Sequence, residues 1–206
     1  VQYQCLASQN RMSALIDGMT IHSWGEVPID ADSAYAADGK TVAQGYKAMF
    51  LKCCDLRWLV IDEISTAGLK VLGIVEANVR KACLSQLHAC DDKGDPRAWG
   101  GVNLVVAGDW WQLHAVLQKS IFRNPFLKDY SSLEMRIKNM FWQLDQETIP
   151  SSPAELFVLV QQVRSTDCWL VELLTADRMG EESWEMYCFT HGLPTVHVGS
   201  WLPSQS

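Results

Sequence analysis

Nine consecutive residues, Arg57-Trp58-Leu59-Val60-Ile61-Asp62-Glu63-Ile64-Ser65, restrict the fold of this chain more than any other stretch. The run from Trp58 to Ile61 is apolar and β-branched without polar alternation, the pattern of a strand buried on both faces of a parallel sheet. Two carboxylates, Asp62 and Glu63, arrive where that strand should end. In open α/β sheets the ligand crevice lies just outside the carboxyl ends of the strands, so both acids are expected beside a bound ligand. The competing reading is a pair of solvated strand-end charges, and only the rest of the sequence can separate the two.

Composition sets the outer limits. A chain of 206 residues with 48% hydrophobic and 20% charged residues can build one substantial core, or one core and part of another. Its net charge of -7 excludes the global basic field of a small nucleic-acid binder, so any nucleic-acid contact must come from local donors or stacking. Seven cysteines, odd in number and irregularly spaced, with no signal peptide ahead of them, favour a reducing compartment over a disulfide framework. Most of these cysteines are expected to be small buried apolar residues. The nucleus or cytoplasm is the expected location, with the mitochondrion as an alternative. No apolar run approaches the roughly 18 residues of a membrane span, so no membrane partner is expected. The chain opens on Val1 and closes on Ser206, and both ends read as cuts through a longer polypeptide.

Taken in order, residues 1–7 suit a short strand, and Ser8-Gln9-Asn10 leads into a helix with Met12, Leu15 and Ile16 inward and Gly18 as its C-terminal cap. Met19 to Gly25 reads as a loop and helix start rich in hydroxyl, imidazole and indole groups. Residues 26–45 read as a long surface excursion, and 46–54 as a short amphipathic helix. Leu72, Val75, Val79, Ala82 and Leu87 recur at helical spacing, and Asp91 to Pro96 is a loop. Residues 102–107 repeat the opening pattern, an apolar strand ending in Gly108-Asp109-Trp110-Trp111-Gln112-Leu113. Leu133, Ile137, Phe141 and Leu144 suggest another helix, and Ile149 to Pro153 a domain boundary, giving domains of 1–149 and 150–206. Beyond it, 156–160 reads as a strand and 167–178 as a helix capped by Gly180. Strands alternating with helices at this spacing predict a parallel, doubly wound α/β sheet.

The motif order is Thr20-Ile21-His22-Ser23, then Asp62-Glu63-Ile64-Ser65, then Gly108-Asp109 with Gln112-Leu113, then Gln162-Val163-Arg164-Ser165 with Asp167. In that order and spacing they resemble motifs Ia, II, III and IV of superfamily 1 DNA helicases, specifically the PIF-type (petite-integration-frequency) family related to RecD. The resemblance covers nearly the whole chain. It implies a RecA-like P-loop ATPase sheet flanked by helices, an incomplete first motor domain, followed by the start of a second RecA-like domain. It implies ATP and magnesium as cofactors, and single-stranded DNA and DNA forks as partners, with no obligate protein partner. By the same resemblance Asp62 anchors magnesium, Glu63 polarises the attacking water, Gln112 reads the γ-phosphate, and Arg164 reaches that phosphate from the second domain. Catalysis and cofactor binding thus fall to Glu63, Gln112 and Arg164, and single-strand binding to Thr20, His22 and Ser23. These types fit the chemistry, since phosphoryl transfer is mostly positioning and charge stabilisation, and a planar guanidinium fork suits phosphate. Trp24 is a candidate base-stacking platform against a core reading, and Trp110 and Trp111 carry the same ambiguity.

The sequence departs from the family in three places. Two prolines expected after Leu113 are replaced by His114 and Ala115, Thr66 stands where the family has methionine, and no Gly-x-x-x-x-Gly-Lys-Ser/Thr phosphate loop occurs. The chain by itself is therefore expected not to hydrolyse ATP. The more serious alternative, favoured by the missing phosphate loop, is a degenerate remnant that binds DNA or protein without turnover. Weaker ones are a metal-dependent nuclease using Asp62, Glu63 and Asp109, and zinc binding by Cys83, His88 and Cys90 or by Cys188 and His191.

Overall fold

The computed structural model describes residues 2–27, 48–142, 155–161 and 163–193. Most of the surface excursion, the start of the helix at 46, Leu144, the Pro/Ser boundary at 149–153 and Gln162 lie outside the described residues. The chain divides into two compact units, Val1–Ala154 and Glu155–Ser206.

Among the described residues the first unit is built on four parallel strands: β1 (Tyr3–Ala7), β2 (Met19–Thr20), β3 (Trp58–Asp62) and β4 (Asn103–Val106), in the order β2-β1-β3-β4. Parallel neighbours require crossovers, and the helical stretches supply them. They are α1 (Asn10–Leu15), α2 (Ile21–Trp24), α3 (described over 48–53), α4 (Leu69–Cys83) and α5 (Ser132–Trp142). Leu6, Leu59 and Ile61 of the sheet share one hydrophobic core with Leu69, Leu72, Val75 and Val79 of α4. At roughly 1.5–3 kcal/mol for each fully buried aliphatic side chain, this contact is the main attraction between sheet and helix.

Register fixes the business end. Ala7 pairs with Thr20 on one side and with Asp62 on the other, while Ile61 pairs with Val106. The strands therefore finish together at one edge, and the loops carrying Thr20 to Ser23, Asp62-Glu63 and Gly108 to Gln112 all leave from it.

Several expectations need correction. β3 is fully buried on one face only: Leu59 and Ile61 are inaccessible, whereas on the other face Val60 and Asp62 are half-buried and Trp58 is 48% exposed. β4 is the sheet's outer strand among the described residues, and its apolar Leu104, Val105 and Val106 are partly exposed. In α1 the buried residue is Ser13 and Leu15 is exposed. The left-handed residue after α1 is Asp17 (φ 50°), not Gly18, whose lack of a side chain instead lets the Cys5 carbonyl occupy the space a Cβ would need. α4 stops at Cys83, so Leu87 lies beyond it and is fully exposed. Only Cys53, Cys83 and Cys188 of the seven cysteines are buried, and all seven are free.

In the second unit, residues 156–160 are exposed and form no strand, since no described neighbour offers them a ladder. Helix α6 (Cys168–Met179) begins as expected, with the Asp167 carboxylate accepting from the Trp169 and Leu170 amides, and ends on Gly180 at φ 70°. Helix α7 (Trp184–Thr190) is capped by Ser183.

Candidate functional site

Strand β3 delivers Asp62 to the carboxyl edge of the sheet and then turns sharply. Glu63 has φ 51° and ψ 48°, a left-handed conformation uncommon for a residue with a side chain. Asp62 Oδ1 accepts the Glu63 amide at 3.0 Å, which stabilises the bend from inside. After it, Ile64–Thr66 forms a single 3-10 turn. Glu63 Oε2 is buried and has no hydrogen-bond partner among the described residues. A buried carboxylate oxygen without a partner is rare and costly, and it marks a place for a ligand or an ordered water.

The loop after β4 runs beside this turn. Pairing continues past the strands, with the Ala107 amide on the Ile61 carbonyl and the Ile64 amide on the Ala107 carbonyl, both at 2.9 Å. Gly108 makes the approach feasible: a Cβ there would lie 2.8 Å from Ile64 Cγ2 and 3.2 Å from the Ile64 nitrogen. Asp109 organises the rest of the loop, accepting the Trp111 amide at 3.0 Å and the Gln112 side-chain amide at 3.4 Å. Gln112 is exposed on this loop. The structure therefore brings Asp62, Glu63 and the Gly108–Gln112 loop together.

Thr20 leaves β2 and caps α2, its hydroxyl oxygen accepting the Ser23 amide at 3.2 Å. The hydroxyl keeps its proton for another acceptor. His22 and Ser23 are exposed. Trp24 is not a stacking platform: it is 2% exposed, because α2 packs on α4, where Asn78 donates to the Gly25 carbonyl at 2.9 Å. Sequence reading also missed Lys52. Its ammonium donates to the Trp24 carbonyl at 2.8 Å and pairs with Glu26 at 2.5 Å, so α3 holds the C-terminal end of α2, the turn that carries His22 and Ser23. A lone lysine in an amphipathic stretch gives no signal of this.

Trp110 and Trp111 differ from Trp24. Trp111 is 73% exposed, and Trp110 is half-exposed and stacked on Phe122 at 4.5 Å, edge-on to Trp142 at 5.5 Å. Arg164 lies in the second unit, exposed, ahead of α6. Neither alternative metal reading is assembled: among the described residues no group of three His, Cys, Asp or Glu side chains could hold a metal ion, so Asp62, Glu63 and Asp109 do not form a nuclease cluster. Among the same residues no helix is long and apolar enough to cross a membrane.

No curated protein matches the chain by sequence. Solved structures do match in fold. They include the Pif1 helicase from Bacteroides in complex with ADP-AlF3 and ssDNA, at 17% identity and TM-score 0.59 over 97% of this chain and 41% of that one. The Pif1 helicase from Candida albicans matches at 20% identity and TM-score 0.60 over 96% of this chain and 38% of that one. Bacteroides Pif1 bound to ssDNA matches at 18% identity and TM-score 0.59, covering 97% and 42%. The chain thus spans about two fifths of the length of these helicases, and the likeness establishes its RecA-like α/β fold. The sequence profile of PIF1-like helicases matches residues 4–138, from β1 into α5, well over half of the chain. With motif loops converging on one edge of that sheet, the chain belongs to the PIF1-like helicase family.

Proposed function

We propose that this chain is the motor-core segment of an ATP-dependent DNA helicase, which couples ATP hydrolysis to movement along single-stranded DNA and to duplex unwinding. The observation that carries the reading is the buried, unpartnered carboxylate oxygen of Glu63 at a strained strand-end turn. That acid suits a water-orienting base, because it is held in place with one oxygen committed to no protein donor. Asp62 and the turn fit a magnesium ion, with Asp62 as its anchor through coordinated water. When bound, that ion would neutralise charge developing on the β- and γ-phosphates.

Within the same reading Glu63 takes up a proton from the attacking water, and Gln112 senses the terminal phosphate from the loop beside it. Arg164, in the second unit, is the candidate cationic phosphate contact. Thr20, His22 and Ser23 donate to DNA phosphates without reading bases, which suits a translocating enzyme. The nucleotide analogue and ssDNA held by the matched Bacteroides helicase support nucleotide and single-strand binding as roles for this segment. Forked DNA as substrate, a nuclear, cytoplasmic or mitochondrial site of action, and work in repair, recombination or telomere maintenance are finer extensions of the proposal.

The test is DNA-stimulated ATP hydrolysis by the natural polypeptide that contains this chain, compared with Glu63→Gln. Turnover by the unaltered protein, with a loss of about a hundred-fold or more in Glu63→Gln, is expected. A second reading, a remnant that binds DNA or protein without turnover, is favoured by one observation, the missing phosphate-loop sequence. An unaltered polypeptide that neither binds nor hydrolyses ATP would establish it.

A further inference from the structure

The left-handed turn at Glu63 is held from outside as well as inside. The Glu63 carbonyl accepts twice from Thr66, from its amide at 3.0 Å and from its hydroxyl at 2.8 Å. The Thr66 hydroxyl oxygen is also hydrogen-bonded to the Ser8 hydroxyl. A hydroxyl has one proton, and that of Thr66 goes to the carbonyl, so Ser8 must be the donor to Thr66. The relay therefore has one direction: Ser8 O–H to Thr66, then Thr66 O–H to the Glu63 carbonyl.

Its other end lies beside the loop carrying Thr20, His22 and Ser23. Ser8 directly follows Ala7, the last residue of β1, and Ala7 is the β-sheet partner of both Thr20 and Asp62. A displacement of the Thr20 strand end is transmitted to Ala7 through the ladder and to Ser8 through one peptide bond. From Ser8, two hydrogen bonds reach the backbone of the acid proposed to orient water.

We propose that Thr66 and Ser8 are positioning residues: they hold the Glu63 turn in its left-handed conformation and couple it to occupancy of the Thr20–Ser23 loop by single-stranded DNA. This rests on the reading of Glu63 as the water-orienting base. Neither hydroxyl touches substrate; each acts on the reaction through the Glu63 backbone.

The experiment measures ATP hydrolysis, with and without single-stranded DNA, by the natural polypeptide containing this chain and by its Thr66→Val, Thr66→Ser and Ser8→Ala variants. Thr66→Val, which keeps the shape and removes the hydroxyl, lowers kcat about ten-fold with KM for ATP within two-fold, and Thr66→Ser restores it. Ser8→Ala lowers the factor by which DNA stimulates turnover by about three-fold or more. A Thr66→Val variant with unaltered kcat and stimulation overturns the proposal, as does a Thr66→Ser variant as impaired as Thr66→Val, which would make packing the cause. If the unaltered polypeptide does not hydrolyse ATP, the functional reading fails and the positioning role falls with it. Normal turnover that ignores Thr66 and Ser8 removes the positioning role alone. Amide exchange over residues 63–66 gives a readout independent of turnover, and equal protection in unaltered and Thr66→Val protein also overturns the relay.

Discussion

A single buried acid shows how much one residue can organise. Glu76 lies inside α4 with a fully buried side chain, yet it faces two cations: Arg80 Nε at 3.3 Å and Arg136 Nε at 3.1 Å. Its Oε1 also accepts the Trp99 amide at 3.3 Å, so one carboxylate ties α4 to α5 and to the segment before β4. Removing one partner of a buried ion pair leaves uncompensated charge, typically costing about 3–5 kcal/mol, but here both guanidinium groups are partly exposed and water shares the compensation. Glu76→Gln is therefore expected to destabilise the first unit by about 2–3 kcal/mol, read from urea midpoints at unchanged slope. A loss below about 0.5 kcal/mol would show the pairs to be ordinary surface bridges. Glu134 is a smaller case. Burial raises the pKa of its carboxyl, but the Ser131 amide and hydroxyl and the Lys119 ammonium outweigh this and hold it below the usual range.

Elements at the opposite edge of the sheet from the site are latched together by Arg57 and His88. Arg57 precedes β3 and His88 follows α4. The Arg57 guanidinium donates to His88 Nδ1 at 2.7 Å, and the Arg57 carbonyl accepts both the backbone and side-chain amides of Asn103 at 3.0 Å. Arginine can only donate, so Nδ1 must be unprotonated and the ring neutral. Burial first, then the positive charges of Arg57 and Arg97, hold the His88 pKa below its ordinary value. The unfolded chain therefore binds a proton before the folded one does. The latch's contribution is complete above the unfolded value, near pH 6.5, and declines as pH falls from there toward the lower folded value. Denaturation at about pH 7.5 and about pH 5.5, on either side of the unfolded value, should show a loss of stability that His88→Gln, which keeps an acceptor for Arg57, makes smaller. Equal losses in the two proteins would place the acid sensitivity elsewhere.

For the whole molecule, the net charge of -7 and the identity of the proposed DNA contacts point the same way. Thr20 and Ser23 are neutral donors, and neutral donors release no counter-ions. Single-strand affinity should fall with log salt at a slope no steeper than about -2, given about -0.7 for each phosphate neutralised. A steep slope, measured by anisotropy titration between about 50 and 200 mM salt, would move the interface to a lysine- and arginine-lined surface. How far the sequence carries differs with the kind of interaction. Short-range patterns were enough for β1, β3, the Asp62-Glu63 strand end, the cap and glycine stop of α6, and the family to which the motifs belong, because alternation, capping and motif spacing are local. They left Trp24 between core and stacking surface with the core favoured, as found, but misjudged Leu15, Leu87, the burial of β4 and the strand at 156–160, because exposure depends on what packs against a residue and apolar character alone does not say. Sequence by itself determined which acids end the central strand and in what order the motif loops come. Only the tertiary structure decided that Gly108 lets two of those loops touch, that Glu63 is left-handed with a buried free oxygen, and that Ser8, 58 residues from Thr66, bonds to it. Those facts arise from parallel register between strands distant in the chain, which no local pattern encodes.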